Sequence, residues 1–316
     1  MSGQDPPKLS AILVVGPRRA RSQGALDALF DQTAVDSMEI VVVDVAGDLP
    51  ALKLREGVRT VYLSGTEVRG WAKARAAGAL AATSPIVAFV EDHSVPEPDW
   101  AHFLIDAYRG PWAAVGYAFR SANPERYVLR STFLARYGMF AYPAHSGPAR
   151  YISGSNGSYR RADLLAIGPQ NLDLLAVDFN VFEILHSRGL QMFTEGRAVV
   201  RHLDHPRLRD EFLTGRGYCR MMAADRVRAN SWGVVRRTIY GLGAPLGAPV
   251  VRLARLSASL RGRRPLWWPF LQALPLVVAL YLSDAIGEAA GYLFGAGNAE
   301  QQTEWGELAT DRGSPG

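Results

Sequence analysis

The apolar positions of the N-terminal third fall into short runs with little alternation. Leu9–Val15, Glu39–Val45, Val58–Leu63 and Pro85–Val90 are rich in β-branched residues, the pattern of strands covered on both faces. Gln23–Gln32 and Val68–Ala82 lie between them with helical spacing. This β-α-β-β-α-β rhythm predicts an α/β fold with an open, mainly parallel central sheet flanked by helices. Such sheets bind ligands beyond the carboxyl ends of their strands. Asp44 and the triplet Glu91-Asp92-His93 fall at two of those ends.

From Pro98 the pattern predicts a helix to about Tyr108, a strand near Ala113–Phe119, and a loop-rich stretch, "YPAHSGPARYISGSNGSYRR". A helix over Asp178–Ser187 follows, with Gly189 placed to cap its C-terminus. Two short strands near Met192 and Val199 precede a long helix ending near Ala229. After Ser231 the chain becomes basic and is broken by Gly and Pro, then runs without a charge from Pro265 to Ser283. That length approaches a membrane span, but Pro269, Pro275 and the early Asp284 argue against an ideal one. A short span, a re-entrant helix, an interfacial anchor and a buried helical hairpin all fit. The expected organisation is an α/β domain over residues 1–230, a basic and apolar helical membrane-associated region over 231–297, and a polar, disordered tail over 298–316.

The 316 residues are 48% hydrophobic and 21% charged, with a net charge of +5. This composition excludes a wholly disordered chain. The arginine excess suits phosphate groups, an anionic membrane or simply a solvated basic face. Cys219 is the single cysteine, which excludes intrachain disulfides and cysteine-based zinc sites. "MSGQDPPKLS" has no apolar signal core, so synthesis in the cytoplasm is expected.

Two adjacent carboxylates repel unless a cation or a hydrogen-bonding ligand compensates them. "LSAILVVGPRRARSQGALDALFDQT…EIVVVDVAGD", "ARAAGALAATSPIVAFVEDHSVPEPDW", "ISGSNGSYRRADLLAIG" and "VDFNVFEILHSRG" occur in that order. From Lys8 to Arg226 this series resembles the inverting family 2 glycosyltransferases, of bacterial membrane-associated type. The resemblance implies a GT-A fold, a nucleotide-diphosphate sugar donor, and a divalent cation held by the triplet against the diphosphate. Oxygen ligands suit Mg²⁺ or Mn²⁺, and an imidazole shifts the preference toward Mn²⁺. It further implies Asp92 and His93 on the metal and diphosphate side and Glu91 at the ribose or in support. His202 becomes a third metal ligand or a diphosphate contact. Asp44 falls where the family binds the nucleobase, and a carboxylate accepting from a uracil N–H favours a UDP-sugar. Lys73 and Arg75 are candidate ribose or diphosphate partners. Gly154 and Asn156 match the acceptor loop.

Asp178 falls where the family has its catalytic base, with Val177 replacing the first acid of the usual pair; it equally suits a helix N-terminus. Asp173 and Glu183 are the fallback bases. Arg18 and Arg19 replace the family's usual first loop without an assigned role. Arg216 and Arg220 face a diphosphate, lipid phosphates or solvent. The expected function is metal-assisted transfer to a lipid-linked or glycan acceptor at the cytoplasmic face of the cell membrane, in cell-envelope polysaccharide synthesis. The partners are the donor, the acceptor and an anionic membrane surface, with no nucleic acid. The alternative is a non-catalytic relative that binds a nucleotide sugar or membrane. A nucleotidyltransferase would show a Gly- and Arg-rich loop after the first strand, of which "GPRRARSQG" is a faint version.

Overall fold

The computed structural model describes residues 5–47, 49–65, 68, 70–154, 156–168 and 178–308. Two compact units emerge, one of Met1–Arg120 with Phe140–His202, the other of Ser121–Met139 with Leu203–Gly316.

In the first unit, β1 (Leu9–Val15), β2 (Met38–Asp44), β3 (Thr60–Ser64) and β4 (Ile86–Glu91) form a parallel block in the order β3-β2-β1-β4. β1, β2 and β4 are buried at every position, which is why their apolar runs do not alternate. α1 (Arg19–Phe30) packs on β1, and α2 (Trp71–Ala81) packs on β1 and β2. Beyond β4 the sheet continues through β8 (Gly157–Arg160), β6 (Ala114–Ser121), β9 (Met192–His202) and β5 (Ser94–Pro96), with β7 (Gly147–Ala149) paired to β9. β8 runs antiparallel to β4 and β6, and β5 antiparallel to β9. α3 (Trp100–Ala107) lies against β9, and the short α5 (Arg161–Leu165) follows β8.

α6 (Asp178–Ser187) has the bounds expected from the sequence. Gly189 follows at φ +71°. The Leu190 N–H donates to Leu185 O and the Gly189 N–H to His186 O, which closes the helix as a Schellman motif. The two strands expected near Met192 and Val199 are one continuous strand, β9. Gly196 between them does not interrupt it, because its N–H donates to Ser146 Oγ and its bare Cα lets the Ala144 carbonyl approach.

The second unit is helical: α4 (Tyr127–Tyr137), α7 (Leu208–Ala229), α8 (Val234–Ser259), α9 (Arg264–Phe294) and α10 (Ala299–Leu308). α9 packs against α4, α7 and α8. Its apolar face, including Phe270, Ala273, Val277 and Leu280, is buried. Arg136 of α4 donates to Glu211 of α7 and to both oxygens of Asp284 in α9. Glu288 of α9 pairs with Arg252 at 2.6 Å and Arg226 at 3.4 Å. Buried charges persist only when paired and hydrogen-bonded, so these contacts fix how α9 is turned. Arg216 and Arg220, weighed above as phosphate ligands, donate to Ser283 Oγ and Gly295 O within the same bundle.

Two boundaries differ from the sequence expectation. The units do not divide at residue 230, because α4 and all of α7 belong with the C-terminal helices. The tail is helical over 299–308, where disorder was expected. Its polar composition conceals a small-residue stripe, Ala299 and Thr303, which Gly217 of α7 lets approach closely.

Burial pushes the Cys219 thiol up to about 12, and Asp284 adds to the rise. Only the thiolate reacts. In the native chain at pH 8, maleimide labelling of Cys219 is therefore expected to be at least about tenfold slower than in guanidinium. Equal rates would show that the α7–α9 packing opens freely.

Candidate functional site

β4 ends at Glu91, and β5 begins three residues later. The antiparallel register of β5 with β9 sets Ser94 opposite His202, which brings His93 beside His202. The two rings stand edge to face with centroids 5.0 Å apart. Glu91 Oε2 lies 3.2 Å from His93 Nε2 and 3.9 Å from His202 Nε2. One ligand atom from each of Glu91, His93 and His202 falls within 4.8 Å of the other two, and all three side chains are buried. Burial pushes the Glu91 carboxyl up, but His93, His202 and Asn156 outweigh it and hold the group at about 2.

A buried carboxylate converging with two imidazoles has the composition of a divalent-metal site. The oxygen suits hard cations and the nitrogens suit borderline transition metals, so the residues present fit the cation that the sequence implied.

Asp92 stands apart from this trio. Its carboxylate accepts from Arg21 Nη2 at 2.9 Å, Ser22 Oγ at 2.9 Å and the Gly16 N–H at 3.4 Å. Its other oxygen lies 2.7 Å from Arg21 and 3.3 Å from His93 Nδ1. Burial raises the Asp92 pKa, but the bonds to His93 and Arg21 prevail and lower it. With Nδ1 of His93 directed at Asp92, Nε2 faces Glu91. This is the relation by which a carboxylate orients a metal-binding imidazole. The sequence places Asp92 with His93 and His202, and Glu91 at the ribose or in support; the structure brings Glu91, His93 and His202 together, with Asp92 beside Nδ1 of His93.

Asn156 joins the trio from the other side. Its side-chain amide donates to Glu91 Oε2, and its carbonyl accepts from the Glu91 N–H at 3.3 Å. Gly157, next in the chain, is constrained to be small: a Cβ there would lie 2.8 Å from Ser153 O. Gly154 is tied down by Arg75, whose Nη2 donates to its carbonyl at 2.7 Å. Arg75 is buried with its guanidinium 4.3 Å from the Phe89 ring centroid, so it braces the Gly154 loop. Lys73 is exposed on α2.

The Asp44 carboxylate, at the end of β2, accepts four bonds: from Arg19 Nη1 at 3.0 Å and Nη2 at 2.9 Å, the Ala46 N–H at 3.0 Å and Tyr62 Oη at 2.5 Å. Burial and then the bond to Asp44 push the Tyr62 hydroxyl up to about 12. Two carboxylate oxygens offer about four acceptor positions, so a nucleobase N–H at Asp44 would replace one of these donors.

Asp178 opens α6, but its side chain lies outside the described residues. Val177 and Asp173 lie wholly outside them. Glu183 is exposed on α6. Arg21, Ser22 and Tyr62 went unread in the sequence, and Arg19 had no assigned role. The available signal was alternation: continued past β4, it puts Glu91 and His93 on one side and Asp92 on the other, facing α1.

Residues 18–168, just under half of the chain, match the family model described as Glycosyl transferase family 2. No curated protein matches the chain. Among solved structures, the mannosyltransferase PcManGT from Pyrobaculum calidifontis, in complex with GDP-Man and Mn2+, is 18% identical. It aligns over 95% of this chain and 88% of its own, with a TM-score of 0.51, a likeness of fold. TarS 1-349 of S. aureus is 16% identical over 93% of this chain and 91% of its own, with a TM-score of 0.46. Residues 18–168 thus match the family 2 glycosyltransferases, and the chain carries a GT-A-type α/β fold like that of PcManGT.

Proposed function

We propose that the protein is an inverting, metal-dependent transferase that moves a sugar from a nucleotide-diphosphate sugar to an acceptor hydroxyl, with Glu91, His93 and His202 holding the divalent cation. The observation that carries this reading is the convergence of those three buried side chains beyond the end of β4. The GDP-Man and Mn2+ in the PcManGT structure support a donor and an ion of the same classes here. When bound, the cation supplies Lewis-acid stabilisation for charge developing on the leaving diphosphate. With two imidazoles among three ligands, Mn²⁺ is favoured over Mg²⁺.

In this reading Asp92 orients His93, and Arg21 adds a cationic group beside it. Asn156 holds Glu91 and connects the trio to the Gly154 loop, the proposed acceptor side. Asp44 and its ring of donors form the base end of the donor site, with a UDP-sugar favoured; Lys73 remains a candidate for the ribose or diphosphate. Asp178 removes the acceptor proton. The acceptor is lipid-linked or a glycan, met at the cytoplasmic face of the membrane during envelope polysaccharide synthesis.

The test is release of nucleoside diphosphate by the purified full chain from a panel of UDP-, GDP- and TDP-sugars. Turnover with at least one donor is expected, lost in excess chelator and restored better by Mn²⁺ than by Mg²⁺. Full turnover in chelator would overturn the metal assignment. Nucleotide binding without turnover of any donor would make the protein a binder.

A further inference from the structure

The second unit carries an apolar face that none of the described residues covers. Val235, Ile239, Leu242, Leu246 and Val250 of α8 are each between 64% and 80% exposed. At ~100° per residue their spacing confines them to an arc of roughly 80°. Large apolar side chains aligned in this way mark a contact surface.

The charge around the stripe identifies what meets it. Residues 231–283 contain seven arginines and no Asp or Glu. Arg237, Arg252 and Arg263 turn inward, to the carbonyls of Tyr292 and Leu293, to Glu288, and to the carbonyls of Ser259, Gly138 and Met139. Arg236, Arg255, Arg261 and Arg264 are exposed. A second copy of the chain docking here through the same face would set like charges against each other. An anionic lipid surface complements both the stripe and the arginines.

α9 is the one described helix long and apolar enough to cross a membrane, yet its contacts oppose crossing. Half of its most apolar window is buried in the protein. Asp284 and Glu288 are held by Arg136, Arg252 and Arg226, and carrying this network into hydrocarbon is costly. Trp268 and Leu271 of α9 are 67% and 50% exposed near the turn that bears Arg261 and Arg264.

We propose that the outer face of α8 is an interfacial docking surface for an anionic bilayer, with α9 remaining inside the helical unit. This refines the membrane location given under the proposed function. Its test needs neither donor nor metal, so either reading can fail without the other.

The experiment is co-sedimentation of the full chain with vesicles of phosphatidylcholine alone and of phosphatidylcholine with phosphatidylglycerol. Binding to the anionic vesicles is expected to be at least about tenfold tighter, to weaken as salt is raised, and to be released by alkaline carbonate. The double variant Ile239→Ser, Leu246→Ser should bind anionic vesicles at least about tenfold more weakly, with unchanged thermal unfolding. Should it misfold, Arg236→Gln, Arg261→Gln, Arg264→Gln should lose the preference for anionic vesicles. Carbonate-resistant association would overturn the proposal in favour of a span. Undiminished binding by a folded stripe variant would overturn it too, as would a vesicle-free dimer that the stripe substitutions abolish.

Discussion

His93→Ala is expected to lower sugar transfer at least about a thousandfold, with Mn²⁺ binding lost in parallel. The substitution removes one of three converging ligands from a buried site. It leaves Glu91 with His202 and Asn156 and takes away one partner of Asp92. Lewis-acid stabilisation of a leaving group is worth several kcal/mol, and about 4 kcal/mol corresponds to roughly a thousandfold in rate. Asp92→Asn separates ligand from orienter. It preserves all three proposed ligands but weakens the bonds to Arg21 and His93, so metal affinity should fall about 10- to 100-fold, as for partners behind a ligand. Excess Mn²⁺ should recover much of its activity and little of that of His93→Ala. Isothermal titration with Mn²⁺ reads both affinities directly. An Asp92→Asn protein whose metal binding is abolished would make Asp92 itself a ligand, and an unaffected His93→Ala would remove the trio from the reaction.

The parts of the fold legible in the sequence were those fixed by local pattern. β1, β2 and β4 stood out because burial on both faces demands uninterrupted apolar runs, and α6 because Gly189 closes it. The clustering of Glu91, Asp92 and His93 was visible for the same reason, since all three sit at one strand end. The placement of their side chains was not. It depends on which way each side chain leaves the chain and on partners far away: Arg21 lies 71 residues from Asp92, and Asn156 65 residues from Glu91. The engagement of Asp44 by Tyr62 likewise follows from the parallel pairing of β2 with β3. α4 escaped notice because "YVLRSTFLARY" mixes aromatic, β-branched and basic residues; its helical face, Leu129, Phe133 and Leu134, matters only against α9. Small-residue contacts hid α10 in the same way.

Asp178→Asn is expected to lower transfer by at least about a hundredfold while leaving nucleotide-sugar affinity nearly unchanged. A general base acts only as the acceptor proton leaves, so its loss is felt in the transition state and not in donor binding. General acid–base contributions run from about a hundredfold to ten-thousandfold, which sets the lower bound. Asp178 is the first residue of α6. The same position gives the residue a structural use, since an acid at a helix start stabilises it. Asparagine tests the two roles separately. It caps a helix about as well as aspartate, so α6 and its Gly189 closure should survive, with thermal unfolding unchanged, but it cannot take the proton. If Asp178→Asn transfers sugar at a near-normal rate, Asp178 is a cap, and the base lies at Asp173 or Glu183. Of these, exposed Glu183 stands near the middle of the same helix. Glu183→Gln should then carry the hundredfold loss or, by keeping full activity, leave Asp173.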